Sequence, residues 1–283
     1  MFETIDVRPP TLQSLDPHSH VVLFNSWGPG TAITKGMLEN IVTFHPRCHL
    51  DIQICGVWDT SVTLSQMRHN HCLTSLAVRL SHLHFEAFAE LQVTAYSCPN
   101  LGKLSITIVD GTYGKEAGPL QWHDHTDRPL ALHTLELDGF CPALVSGSAL
   151  AVMTNVSMLK RLSVVNVPSV PDLDCGNLSS LRVALNDNRH HDSAEFHRMT
   201  AFLYLCRFLK ELDLTGFTAC VSPPLLEHLG KSLKVLRLHE YECQTGLQRR
   251  LVLSPEMILV LGVKCPYLDI LGLDIAYQRQ WVS

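Results

Sequence analysis

Leu135-Glu136-Leu137-Asp138-Gly139-Phe140 and Leu212-Asp213-Leu214-Thr215-Gly216-Phe217 are nearly the same phrase written twice. Both belong to a wider frame, Leu-x-x-Leu-x-Leu. It recurs as Leu73/Leu76/Val78, Leu101/Leu104/Ile106, Leu132/Leu135/Leu137, Leu159/Leu162/Val164, Leu178/Leu181/Val183, Leu209/Leu212/Leu214, Leu233/Leu236/Leu238 and Leu268/Leu271/Leu273. A weaker copy, Leu50/Ile52/Ile54, precedes them. Repetition at this scale points to an array of stacked units and not to one ordinary globular core.

The frame has a direct physical reading. Residues two apart, such as Leu76 and Val78, share one face of a short strand, and the earlier leucine closes the turn into it. One such strand buries too little to stand alone, but stacked copies make a parallel sheet with a continuous inner core. The second leucine falls at 76, 104, 135, 162, 181, 212, 236 and 271. The units between them are uneven against a regular leucine-rich repeat of roughly 20–29 residues. Helical punctuation fills the gaps. Ser222-Pro223-Pro224 opens a segment that Gly230 closes, and Ser254-Pro255-Glu256 opens another. Phe85, Phe88, Gln92 and Tyr96 are spaced for a third helix. The expected fold is α/β, an irregular leucine-rich-repeat solenoid with a parallel sheet on the concave side and helices on the convex side. Strands should start near 50, 75, 103, 134, 161, 180, 211, 235 and 270 and pair in chain order. Leu104, Leu135, Leu162, Leu181, Leu212, Leu236 and Leu271 should be buried. Residues 1–34, with Pro9-Pro10, Pro17 and Gly28-Pro29-Gly30, read as an irregular N-terminal segment ahead of a repeat domain at 35–283. Three further stretches, 110–129, 186–198 and 240–250, read as loops.

Composition narrows the function. The chain has 283 residues, 46% of them hydrophobic, and a net charge of −5. That balance lacks the clustered Lys and Arg of a nucleic-acid footprint. The N-terminus lacks the basic stretch and apolar run of a signal peptide, and no apolar run is long enough for a bilayer. The ten cysteines are widely spaced with no C-x-x-C pair, so they read as reduced, mostly buried thiols in a cytoplasmic or nuclear protein. Cys98 and Cys265 in particular should pack beneath turns.

Candidate chemistry is sparse. Four His-x-His pairs occur, His18/His20, His69/His71, His82/His84 and His123/His125. On a strand, both rings of a pair face one side and would suit zinc, most of all in His123-Asp124-His125 and His190-His191-Asp192. Neither has an H-E-x-x-H or paired-cysteine context, so both read as solvated loop histidines and no metal or cofactor is expected. Gly230-Lys231-Ser232 lacks the glycine of a phosphate-binding loop five positions earlier, where Leu225 stands. Gly147-Ser148 lacks the flanking glycine of a nucleophile elbow. The chain reads as a binding protein and not an enzyme.

Cys98-Pro99-Asn100-Leu101 and Cys265-Pro266-Tyr267-Leu268 both lead straight into the frame. They resemble the cysteine-containing repeats of F-box/leucine-rich-repeat proteins. His45-Pro46-Arg47-Cys48-His49-Leu50 looks like the segment with which many fungal members begin their repeats. The resemblance covers about residues 36–275. It implies a protein-interaction module that holds a substrate for a cullin-type ubiquitin ligase, with an F-box docking on the ligase adaptor. Residues 1–35 carry no such F-box segment, so the expectation is either an F-box encoded upstream or an F-box-less relative. The alternative is a leucine-rich-repeat regulator or inhibitor of another enzyme. In either case the partner is a protein, met by the side chains between the buried leucines: Arg79, Lys103, Glu136, Asp138, Arg161, Arg182, Glu211, Asp213, Arg237 and Asp274.

Overall fold

Strand alternation and leucine spacing resolve into one sheet. The computed structural model describes residues 20–25, 33–55, 60–81, 85–109, 122, 128–139, 147–167, 175–185, 193–240 and 253–274. The strands are β1 (His20–Asn25), β2 (His49–Ile54), β3 (Leu73–Ser81), β4 (Lys103–Val109), β5 (Thr134–Asp138), β6 (Arg161–Val167), β7 (Ser180–Leu185), β8 (Glu211–Thr215), β9 (Val235–His239) and β10 (Ile270–Leu273). They lie in sequence order, and every neighbouring pair is parallel. Seven α-helices connect them among the described residues: α1 (Lys35–Phe44), α2 (Thr60–Gln66), α3 (Phe85–Ser97), α4 (Gly147–Met153), α5 (Ser193–Leu205), α6 (Pro223–Leu229) and α7 (Pro255–Lys264). This is a solenoid-like α/β arrangement in which each unit touches its neighbours.

Register explains the core. Leu76, Leu104, Leu135, Leu162, Leu181, Leu212 and Leu236 occupy one continuous row across the sheet. Each is buried, as are the residues two positions on, Val78 through Leu238. The first leucine of each frame lies at or just before the start of its strand, with Leu73, Leu132, Leu159, Leu178, Leu209 and Leu233 fully buried. Helix residues such as Leu64, Leu91, Leu203 and Leu226 complete the same cluster. Among the described residues, nothing packs over the opposite sheet face.

The duplicated phrase encodes more than a strand. Gly139 and Gly216 have φ of 76° and 83°, the left-handed region. Gly139 has a second constraint, because a Cβ there would collide with the Ile108 carbonyl. Phe217, just after the second glycine, turns fully inward and meets Phe196 edge-on at 5.9 Å.

Three expectations need correction. His20–Asn25 is a strand paired with β2, so the sheet extends into the 1–34 segment read as irregular. The Pro and Gly content masked the alternation of Val21 and Leu23, both buried. Residues 193–198, assigned to a loop, form the first half of α5. Gly230 closes α6 as expected, in the right-handed region at φ −61°. Its missing side chain serves a close approach, since a Cβ would strike the Lys264 and Leu226 carbonyls. Finally, Leu271 is 44% exposed and not buried. Strand β10 has a neighbour on one side only, so nothing described stacks over its outer flank.

Candidate functional site

On the open face the same register that aligns the leucines aligns the residues between them. One row runs Asp51, Ser75, Lys103, Thr134, Arg161, Ser180, Glu211, Val235. The next runs Gln53, Ala77, Ser105, Glu136, Ser163, Arg182, Asp213, Arg237, Gly272. A third carries Arg79, Thr107, Asp138, Val165, Ala184, Thr215 and His239. Nine of the ten residues named from the sequence stand in these rows, and Asp274 follows β10 directly.

Strand spacing of about 4.8 Å brings these charges within reach of one another. Arg182 Nε lies 3.7 Å from its in-register partner Asp213, and Lys103 Nζ lies 3.1 Å from Glu136 on the diagonal. Arg161 and Glu211 are two strands apart, yet approach to 3.8 Å. They reach across β7 because the residue between them is Ser180, whose hydroxyl donates to Glu211 at 2.8 Å. Exposed pairs of this kind contribute roughly 0.2–1 kcal/mol each, so they orient the charges and do little to hold the fold. Arg79 and Arg237 are exposed and have no ion-pair partner among the described residues. Gly272 matters for Arg237, since a Cβ there would press on the Arg237 Cγ at 3.3 Å.

Small residues give the face its relief. Ser105, Thr107, Ser163 and Ser180 lie between the long charged chains, and together they line an open depression of about 470 Å³. Glu136, Asp138, Arg161, Arg182, Glu211, Asp213 and Arg237 form its walls. Asp274 sits apart with a different job. Its carboxylate accepts the Glu240 backbone N–H at 2.6 Å and lies 3.4 Å from His239 Nδ1. Glu240 in turn accepts the Thr218 N–H at 2.7 Å, so this corner is an internal chain of hydrogen bonds.

Most of the described thiols are buried in the core. Cys98 and Cys265 are buried, and burial raises the pKa of both. Burial and the neighbouring Cys72 push Cys48 to about 12, and burial pushes Cys220 to about 11. A protonated thiol is a poor nucleophile and a poor metal ligand. Two further copies of the motif escaped the sequence reading, Cys175-Gly176-Asn177-Leu178 and Cys206-Arg207-Phe208-Leu209, whose cysteines are equally buried. The signal was present, but proline had been taken as part of the motif. Trp122 was also missed. From within the stretch read as a polar loop it buries its ring against Phe88 at 5.7 Å and donates to the Tyr96 hydroxyl at 3.0 Å.

Among the described residues no three His, Cys, Asp or Glu side chains converge on a point, and no helix is long and apolar enough to cross a membrane. His123, His125, His190, His191 and Asp192 lie outside the described residues. Compared with known proteins, the chain matches no family profile and no curated sequence.

Proposed function

We propose that the chain is a leucine-rich-repeat protein-interaction module, and that the open sheet face between β4 and β9 is where it grips a partner protein. One observation carries the reading. Charges of both signs are set in register around a depression floored by serine and threonine, with pairing that fixes their orientation. Alternating signs discriminate between protein partners, whereas a nucleic-acid groove calls for one sign. The four Cys-x-x-Leu turns that lead into the frame support the F-box/leucine-rich-repeat likeness. On that reading the module is cytoplasmic or nuclear and presents a substrate to a cullin-type ubiquitin ligase, or serves an F-box-less relative.

The test is a pair of double reversals, E136K/D138K and E211K/D213K. Each is expected to leave the melting curve close to wild type and to weaken capture of the partner at least about ten-fold, the effect of losing well-placed interfacial charges. If both bind normally while removal of 111–120 abolishes capture, contact is made by the loops. Co-purification of the ligase adaptor with a chain bearing an F-box, and its absence without one, tests the ligase assignment separately.

A further inference from the structure

A second charged surface lies along the edge where the strands begin. Each strand from β4 onward is preceded by a residue whose backbone joins a continuous ladder. The His133 N–H donates to the Gly102 carbonyl, Lys160 to His133, Ser179 to Lys160, Lys210 to Ser179, Lys234 to Lys210 and Asp269 to Lys234, all at 2.8–2.9 Å. Lys160, Lys210 and Lys234 are exposed members of this ladder. Arg207 and Lys231, in the turns after α5 and α6, add two exposed cations to the same edge. None of the five has an ion-pair partner among the described residues, and Asp269 at the far end is the one carboxylate of the ladder. In a chain of net charge −5 this is a marked segregation of positive charge.

Two positions before each ladder residue stands a second row, Met158, Asn177, Phe208, Ser232 and Tyr267. Its polar members are tied to the preceding unit, Asn177 donating to the Ser157 carbonyl at 2.7 Å and Ser232 to the Leu209 carbonyl at 2.8 Å. Its apolar members are not tucked away. Met158, Phe208 and Tyr267 are 47%, 61% and 64% exposed. They fall on every second strand, about 10 Å apart at the usual strand spacing.

We propose that this edge, from β6 to β10, is a docking surface for an acidic protein segment that carries an apolar side chain at every third residue. Charge complementarity selects the acidic partner. The spacing selects the pattern, because a polyproline II segment rises about 3.1 Å per residue and brings every third side chain back to one face after about 9 Å. Single-stranded nucleic acid fits less well. It stacks successive bases on aromatic rings, whereas Phe208 and Tyr267 are the only rings in the row and a strand lies between them. The surface is distinct from the open sheet face, so either can fail without the other.

The experiment uses fluorescence anisotropy with the full chain and a labelled peptide of glutamates with phenylalanine at every third position. Wild type is expected to bind it. K160E/K210E/K234E is expected to weaken binding at least about ten-fold, as three exposed ion pairs together would. Replacing the peptide's phenylalanines with alanine should weaken it too, and R182E on the sheet face should stay within about two-fold. Absence of binding to wild type, or binding by the triple variant within two-fold of wild type, overturns the proposal. So does tighter binding of an oligothymidylate of equal charge. If the triple glutamate variant melts early by circular dichroism, K160Q/K210Q/K234Q, which removes the charge without reversing it, is read by the same criteria.

Discussion

Strands β8 and β10 are written in the same frame and live under different conditions. In β8, Leu209, Leu212 and Leu214 are all buried, with a strand on each side and α5 and α6 beneath. In β10, Leu268 and Leu273 are partly buried and Leu271 is 44% exposed, while Ile258, Leu259 and Val263 of α7 are exposed as well. The local text makes both segments strands, because two leucines two apart favour one face of an extended chain. How much each leucine stabilises depends on neighbours that the frame does not encode. In a stacked array that difference is the rule, since each unit's core is completed by the next.

The sharpest way to break the comparison is to shorten the two equivalent leucines. Leu212→Ala should destabilise by roughly 2–5 kcal/mol, the usual cost of a core leucine. Leu271→Ala should cost less than about 1 kcal/mol, since much of its surface is wet already. Urea unfolding followed by circular dichroism measures both. Equal losses would show that position in the array does not set the energetics.

The strand exits give a second, smaller contrast. Gly216→Ala should cost about 1–2 kcal/mol, because alanine is strained at φ 83°. Gly262→Ala in α7 meets nothing within 4 Å and should be neutral or slightly stabilising, because alanine favours the helix interior. Thermal melts should fall for Gly216→Ala and hold or rise for Gly262→Ala.

The thiols add a pH signature. Cys48 and Cys220 ionise only near 12 and 11 in the folded chain, against about 9 for an ordinary thiol. Between those values the unfolded chain sheds protons that the folded chain keeps, so stability should fall as pH rises from about 9 toward 12. Replacing both with alanine should flatten that slope. At neutral pH, Cys98 and Cys265 should resist thiol reagents until the protein is unfolded, despite their places in an interior unit and in the last described one. Rapid labelling of Cys265 alone would mean that the β10 unit opens by itself.

Much of the fold could be read in advance because its determinants are local. Frame spacing placed β2 to β10 and their order, and Ser254 caps α7 as its residue type suggests, accepting the Met257 N–H at 3.3 Å. What escaped was set by contacts between units. Strand β1 was hidden because Val21 and Leu23 lie among prolines and glycines, and the strand that completes them, β2, belongs to the next unit. Gly230 was placed correctly at the end of α6, but the Lys264 carbonyl it makes room for belongs to the next unit. On the open face, alternation indicated which residues point outward. It did not indicate that Arg161 and Glu211 meet across Ser180, nor that Asp274 is committed to the Glu240 backbone. Those facts depend on register between strands.

The central claim is that a protein partner is held on the open sheet face and not on the helical side. A photo-crosslinking benzophenone side chain at Ser163, in the middle of the depression, tests it against the same group at Val93 on α3. The account predicts one reproducible protein adduct from position 163, identified by mass spectrometry, lost in the E136K/D138K background and absent from position 93. Adducts from position 93 with none from position 163 would contradict it.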